Sequence, residues 1–264
     1  MNTGSKKLWS KEHEGESFNF KRKLFHLTGL IIPGLYLFNS FDAFGILLFK
    51  ETTRSIAFYI LSGIVVFMVI IEILRFNFPF WQNLFLKTIG RILKEKEYNK
   101  VHGSIPFLAA NAIMLGFFPK DIAILSALFL TFGDPMAAFI GGKYGTIRFY
   151  NGKSLQGTLA GIFGAFIIGL IFLTFVTFFG GLVPDSDLYL YSDNGIHWPA
   201  FFILFIAAVV AYILELFSHD GLFDDNIVIP IGSGLTMVLL LSIIESRDIN
   251  YYFYSARDLL LFAY

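Results

Sequence analysis

The chain has no cysteine among its 264 residues, which excludes disulfides, a thiol nucleophile and cysteine-ligated metal. Charge is scarce as well: 15% of residues are charged against 56% hydrophobic, and the mean hydropathy is +0.67. Soluble domains carry about 25% charged residues, so these values exclude an ordinary water-soluble fold. The 20 basic and 20 acidic residues cancel. With no basic excess, no nucleic-acid partner is expected. The apolar core of a cleaved signal peptide is missing too, because the first 23 residues are polar. Residues 1–23 are read as a cytoplasmic lead-in, and the first span is expected to direct insertion itself. A Walker loop is also lacking. The stretch "GGKYGTIRFYNGKS" ends in Gly152-Lys153-Ser154, but the leading glycine of G-x-x-x-x-G-K-[ST] falls on Ile147.

What the chain does have is several apolar stretches near the roughly 20 residues needed to cross about 30 Å of hydrocarbon. Seven spans are expected, at 24–40, 56–74, 105–118, 121–142, 157–180, 198–217 and 227–244. All should be helices, because lipid cannot satisfy open backbone groups. The expected fold is therefore all-α, a multi-pass bundle in the lipid bilayer. Residues 24–244 form its membrane domain and 245–264 a tail too short to cross, which should lie at the interface. The apolar run Phe41 to Phe49 is likewise too short and reads as re-entrant or interfacial. With the N-terminus in the cytoplasm, the inside loops carry 15 Lys and Arg and the outside loops 5. The positive-inside rule sets that orientation. No pattern in the sequence specifies an oligomeric state.

Four stretches could carry chemistry. In "LTFGDPMAAFIGGKYG", Asp134 interrupts an apolar span, where an ionised group is expensive and usually functional. Asp134, Ala138, Gly141 and Gly145 share a helical face with Ala137 beside it, so a helix or ligand could approach closely; simple helix packing would also account for this. In "NFKRKLFHLTG", Lys21, Arg22 and Lys23 precede the first span, and Arg22 and His26 lie four residues apart. Orientation alone demands such cations, whereas His26 could accept a proton or hydrogen-bond a phosphate. In "NGKSLQGTLAG", Lys153 and Ser154 stand at a helix start suited to an anion, with Lys143 and Arg148 in the same loop. In "ELFSHDGLFDDNIVIP", Asp224 and Asp225 precede the last span, either as ordinary caps or as hard oxygen ligands for Mg2+. Glu215 and His219 border that stretch. Glu72 and Arg75 fit a mutual ion pair at a membrane edge, and His102 opens the third span. Cations, carboxylates and glycine-rich helix starts gathered at one membrane face are the parts phosphoryl transfer needs.

The stretches "KRKLFH", "EILR", "GDPMAAFIGGKYG", "GKSLQG" and "DDNIVIP", in this order, resemble the CTP-dependent lipid kinase family of dolichol kinase, phytol kinase and CTP-using diacylglycerol kinase, related to the phosphatidate cytidylyltransferases. The resemblance implies transfer of the γ-phosphate of CTP, with Mg2+, to the hydroxyl of a membrane lipid alcohol (polyprenol or dolichol, phytol, or diacylglycerol) at the cytoplasmic face. It places Asp134, Gly133, Gly141, Lys143, Gly152, Lys153 and Ser154 around the nucleotide, and Asp224, Asp225 and Asp134 around the metal. Arg22, Lys23 and His26 would lie near the transferred group. Gln156 departs from the family's usual glutamate, and the Phe41 to Ser55 stretch is longer than expected. Two other functions stay open. One is transfer of CMP to a lipid phosphate, against which the "HGG-x-x-DR-x-D" type of signature is missing. The other is transport, against which the ionisable residues gather at one face rather than at mid-membrane. The implied membrane is a bacterial plasma membrane, or the endoplasmic reticulum in a eukaryote.

Overall fold

The computed structural model describes residues 27–44, 51–89, 101–149, 151–179, 181, 183, 186–192, 195–218 and 224–259. In chain order the helices are α1 (Ile31–Leu37), α2 (Thr52–Asn77), α3 (Pro79–Ile89), α4 (Ser104–Phe117), α5 (Lys120–Tyr144), α6 (Leu155–Phe178), α7 (Trp198–Glu215) and α8 (Asp225–Ile244). The only strands among the described residues are a two-stranded ribbon, with Tyr191 opposite Ile196 and Ser192 opposite Gly195. The protein is an all-α membrane bundle, as its composition demands.

Among the described residues, five helices are long and apolar enough to cross a bilayer: α2, α5, α6, α7 and α8. The expected count of seven spans is not confirmed on that criterion. Apolar α4 has 14 residues, which at 1.5 Å per residue gives about 21 Å, short of the roughly 30 Å of hydrocarbon. Of the first expected span, the described helix α1 has 7 residues. Short helical turns at Asp42–Phe44, Ile249–Tyr252 and Ala256–Leu259 occupy parts of the two segments expected at the interface.

Burial sorts the crossing helices into layers. Helix α5 is the central one, with most of its apolar window buried, whereas α2 turns Val66, Phe67, Ile70 and Ile73 outward. Around α5 pack α6, α8, α4 and α1, while α7 lies between α6 and α8. Close approach of α5 and α6 depends on small residues. A Cβ on Gly157 would stand 2.8 Å from the Ala137 carbonyl oxygen and 3.1 Å from the Gly141 Cα. The small face turned to α6 is therefore Gly133, Ala137 and Gly141. Ala138, expected on that face, is exposed.

Midway along, α5 widens into a π-helical turn over Phe129–Gly133 before resuming as an α-helix at Asp134. Asp134 consequently sits where α7 ends and α8 begins, at an end of two neighbouring helices, although it lies in the middle of its own.

Candidate functional site

At one end of the bundle the α5–α6 connection folds as a short antiparallel turn. The Leu155 amide donates to the Ile147 carbonyl at 2.9 Å, and the Phe149 amide donates to the Lys153 carbonyl at 2.8 Å. Gly152 closes the turn with φ of +82°, a conformation that glycine adopts without steric cost. Ser154 then caps α6, its Oγ accepting from the Gly157 amide at 3.1 Å. That hydroxyl is packed so closely that a Cβ on Gly141, Gly145 or Gly157 would come within 3.0 Å of it. Ser154 and Gly141 are thus held by helix packing and capping. Gln156, where the family resemblance leads to an acid, accepts from the Thr146 and Ile147 amides at 3.1 and 3.3 Å and so ties the turn down.

The turn delivers Lys153 to the end of α7. Its Nζ donates to Glu215 Oε1 at 2.9 Å, to the Glu215 carbonyl at 2.8 Å and to Ser218 Oγ at 2.9 Å, and lies 3.9 Å from Asp225 Oδ2. Asn151 works beside it. Its Nδ2 donates to the Leu216 carbonyl at 2.7 Å, while its Oδ1 accepts from the Lys153 amide at 3.2 Å. A cation and an amide thereby satisfy carbonyls that α7 leaves open at its negative end.

Three carboxylates meet there. Asp134 of α5, Glu215 of α7 and Asp225 of α8 each offer an oxygen, and the three oxygens lie within 4.8 Å of one another. Glu215 is buried, and Asp225 keeps about a third of its side chain open. Asp224, expected beside Asp225 as a ligand, caps α8: its Oδ1 accepts from the Asn226 amide at 2.8 Å and from the Asn226 side chain. Asn226 also donates to Asp225 Oδ1 at 3.2 Å, steadying that carboxylate.

The donor set suits Mg2+. Hard oxygen ligands are what that ion takes, commonly one or two carboxylates together with substrate phosphates, and these three carboxylates offer oxygens within 4.8 Å of one another.

The other expected residues divide. Lys143 is exposed in the last turn of α5, its Nζ 5.0 Å from the Tyr144 ring centre. Gly133 is buried against Tyr212, as described below. Arg22, Lys23 and His26 lie outside the described residues, as does His219. Glu72 and Arg75 form the expected ion pair, with Arg75 Nη2 at 2.6 Å from Glu72 Oε2 and both side chains buried. Glu72 Oε1 also accepts from the His102 amide at 3.4 Å, and a Cβ on neighbouring Gly103 would lie 3.9 Å from Asn226 Nδ2. The pair thus adjoins the start of α8. Glu215, read from sequence only as bordering the site, is a full member of the carboxylate group. Its signal was an acid in the last turn of an apolar helix.

No family model and no solved structure matches the chain. Among curated proteins it is 30% identical over 184 residues to CTP-dependent diacylglycerol kinase 1 of Saccharomyces cerevisiae, covering 65% of this chain and 60% of that protein's length. It is 32% identical over 172 residues to the protein of the same name from Schizosaccharomyces pombe, covering 64% of this chain and 74% of the relative. A probable chloroplastic phytol kinase of Triticum aestivum is 23% identical over 227 residues, or 84% of this chain and 67% of the relative. On this likeness the chain belongs to the CTP-dependent lipid kinase family.

Proposed function

We propose that the chain transfers the γ-phosphate of CTP to the hydroxyl of a membrane lipid alcohol at the cytoplasmic face. The observation that carries this reading is the meeting of Asp134, Glu215, Asp225 and Lys153, drawn from four separate segments, at one end of the bundle. Names of relatives point to diacylglycerol or phytol as the acceptor class. The excess of basic residues in the loops at that end supports a cytoplasmic site.

In this reading Asp134, Glu215 and Asp225 hold Mg2+, which supplies neutralising charge to the triphosphate. Lys153 stands beside them with a quarter of its side chain exposed, placed to pair with a phosphate oxygen. Asn151 and Ser218 keep its ammonium at that height. Gly152 and Lys143 border the nucleotide from the α5–α6 turn and the end of α5, and the family resemblance assigns Arg22, Lys23 and His26 to the transferred group. The bond from the γ-phosphorus to its bridging oxygen breaks, a bond to the lipid oxygen forms, the acceptor hydroxyl gives up its proton to water, and CDP leaves.

The test is incubation of purified protein with Mg2+, diacylglycerol, phytol, polyprenol and phosphatidate, using CTP labelled at the α or the γ phosphorus. Label reaching an alcohol from the γ position supports the proposal. Label reaching phosphatidate from the α position would replace it with cytidylyl transfer, and folded protein that turns over no nucleotide would refute both.

A further inference from the structure

The π-helical turn of α5 lies directly before Asp134. Such a turn accommodates one residue more than an α-helical turn, so it rotates everything after it by about 100° and is common where function demands a particular side-chain direction. Something must hold it in place, because a straight helix has the better hydrogen-bond geometry.

Tyr212 of α7 meets that need. Its hydroxyl donates at 2.9 Å to the carbonyl of Phe129, the first residue of the π turn. Its ring fills a slot that two glycines leave open: a Cβ on Gly133 would stand 1.9 Å from the hydroxyl oxygen, and one on Gly161 would stand 2.3 Å from ring carbon Cε1. Tyr212 is fully buried. One turn further along the same helix stands Glu215, which with Asp134 belongs to the carboxylate group. A single side chain therefore fixes both the widened turn that aims Asp134 and the spacing of α5 from the helix that bears Glu215.

We propose that Tyr212 is a positioning residue for the metal–triphosphate site, acting by pinning the π turn so that Asp134 faces Glu215 and Asp225; the inference rests on the function proposed above. Gly133 and Gly161 serve the same device from α5 and α6 by making room for the ring.

The experiment compares wild type, Tyr212→Phe and, as a control for loss of a buried tyrosine hydroxyl at the opposite end of the bundle, Tyr252→Phe. Two quantities are read: the Mg2+ concentration giving half-maximal CTP turnover, and the shift of melting temperature with Mg2+ alone. Removing one supporting hydrogen bond from a metal site weakens metal binding about tenfold or more. Tyr212→Phe should therefore raise half-saturating Mg2+ about tenfold and shrink the Mg2+-induced shift, while Tyr252→Phe changes neither. Half-saturation does not depend on how much of a sample is folded, so it separates positioning from general destabilisation. An unchanged Mg2+ dependence in Tyr212→Phe, or an equal change in Tyr252→Phe, would overturn the proposal. A wild-type Mg2+ shift that shrinks in Tyr212→Phe, with no CTP turnover in any variant, would uphold the pin and refute the kinase reading.

Discussion

The two ends of the bundle handle buried charge in opposite ways. At the end away from the site, buried ionisable groups are held by hydrogen-bond or ion-pair partners within the chain. Arg54 is buried, bonds Glu51 at 2.6 Å and the Phe118 carbonyl at 2.9 Å, and lies 3.3 Å from the Tyr254 ring centre. Asp121 accepts from the Ser186 hydroxyl and from the Ile122 amide at 2.8 Å. Arg247 pairs with Asp187 at 2.7 Å. At the site end, three carboxylates converge on one lysine. Like charges in close quarters oppose folding. Three carboxylates gathered in one place suit a cation from outside, whereas the groups at the far end need only hold the bundle together.

The sharpest way to break that contrast is Asp134→Asn, which removes one of the three acids but keeps the shape. Turnover should fall about 10³-fold, as when a preorganised electrostatic group is lost, with the melting temperature in the absence of metal unchanged or raised. Retained turnover would show that the carboxylate group has no part in the reaction. Lys153→Met, next in size, should lower kcat/KM for CTP about 100-fold, read by steady-state kinetics at saturating lipid. At the far end the effect should move from activity to stability. Arg54→Met strips partners from Glu51 and from the carbonyls of Leu115 and Phe118, and should cost about 2 to 3 kcal/mol. Thermal denaturation would measure that loss, and kcat per folded molecule should stay at the wild-type value. Smallest of all is Arg247→Gln at the surface, where exposed pairs contribute little. Neither turnover nor melting temperature should change measurably, and a loss of turnover would mean that this end also serves the reaction.

Legibility from the sequence followed the range of the interactions involved. The helices announce themselves through unbroken apolar runs, because the bilayer forces local backbone satisfaction. Asp134, Lys153 and Asp225 stand out as charged residues against such runs. The register between helices is another matter. Helical spacing alone puts Ala138 with Asp134 and Gly141, but the face packed on α6 is set by Gly157 and Gly161 across the contact, and Ala138 is left exposed. The π turn has no motif of its own, since its carbonyl partner Tyr212 lies 83 residues away in the chain. The roles of Asp224 and Asp225, adjacent and alike in sequence, part only through Asn226, which draws Asp224 into the helix cap.

Hydropathy and charge pattern, being properties of neighbouring residues, settled by themselves that this chain is a bundle of apolar helices with its polar chemistry at the helix ends. The choice of which acids meet one another fell to tertiary packing. That choice depends on glycines that let α5 and α6 touch, on a tyrosine that widens one helix by a residue, and on an α7 that stops at the height of Asp134. These are contacts between segments distant in the chain, and no local pattern can carry them.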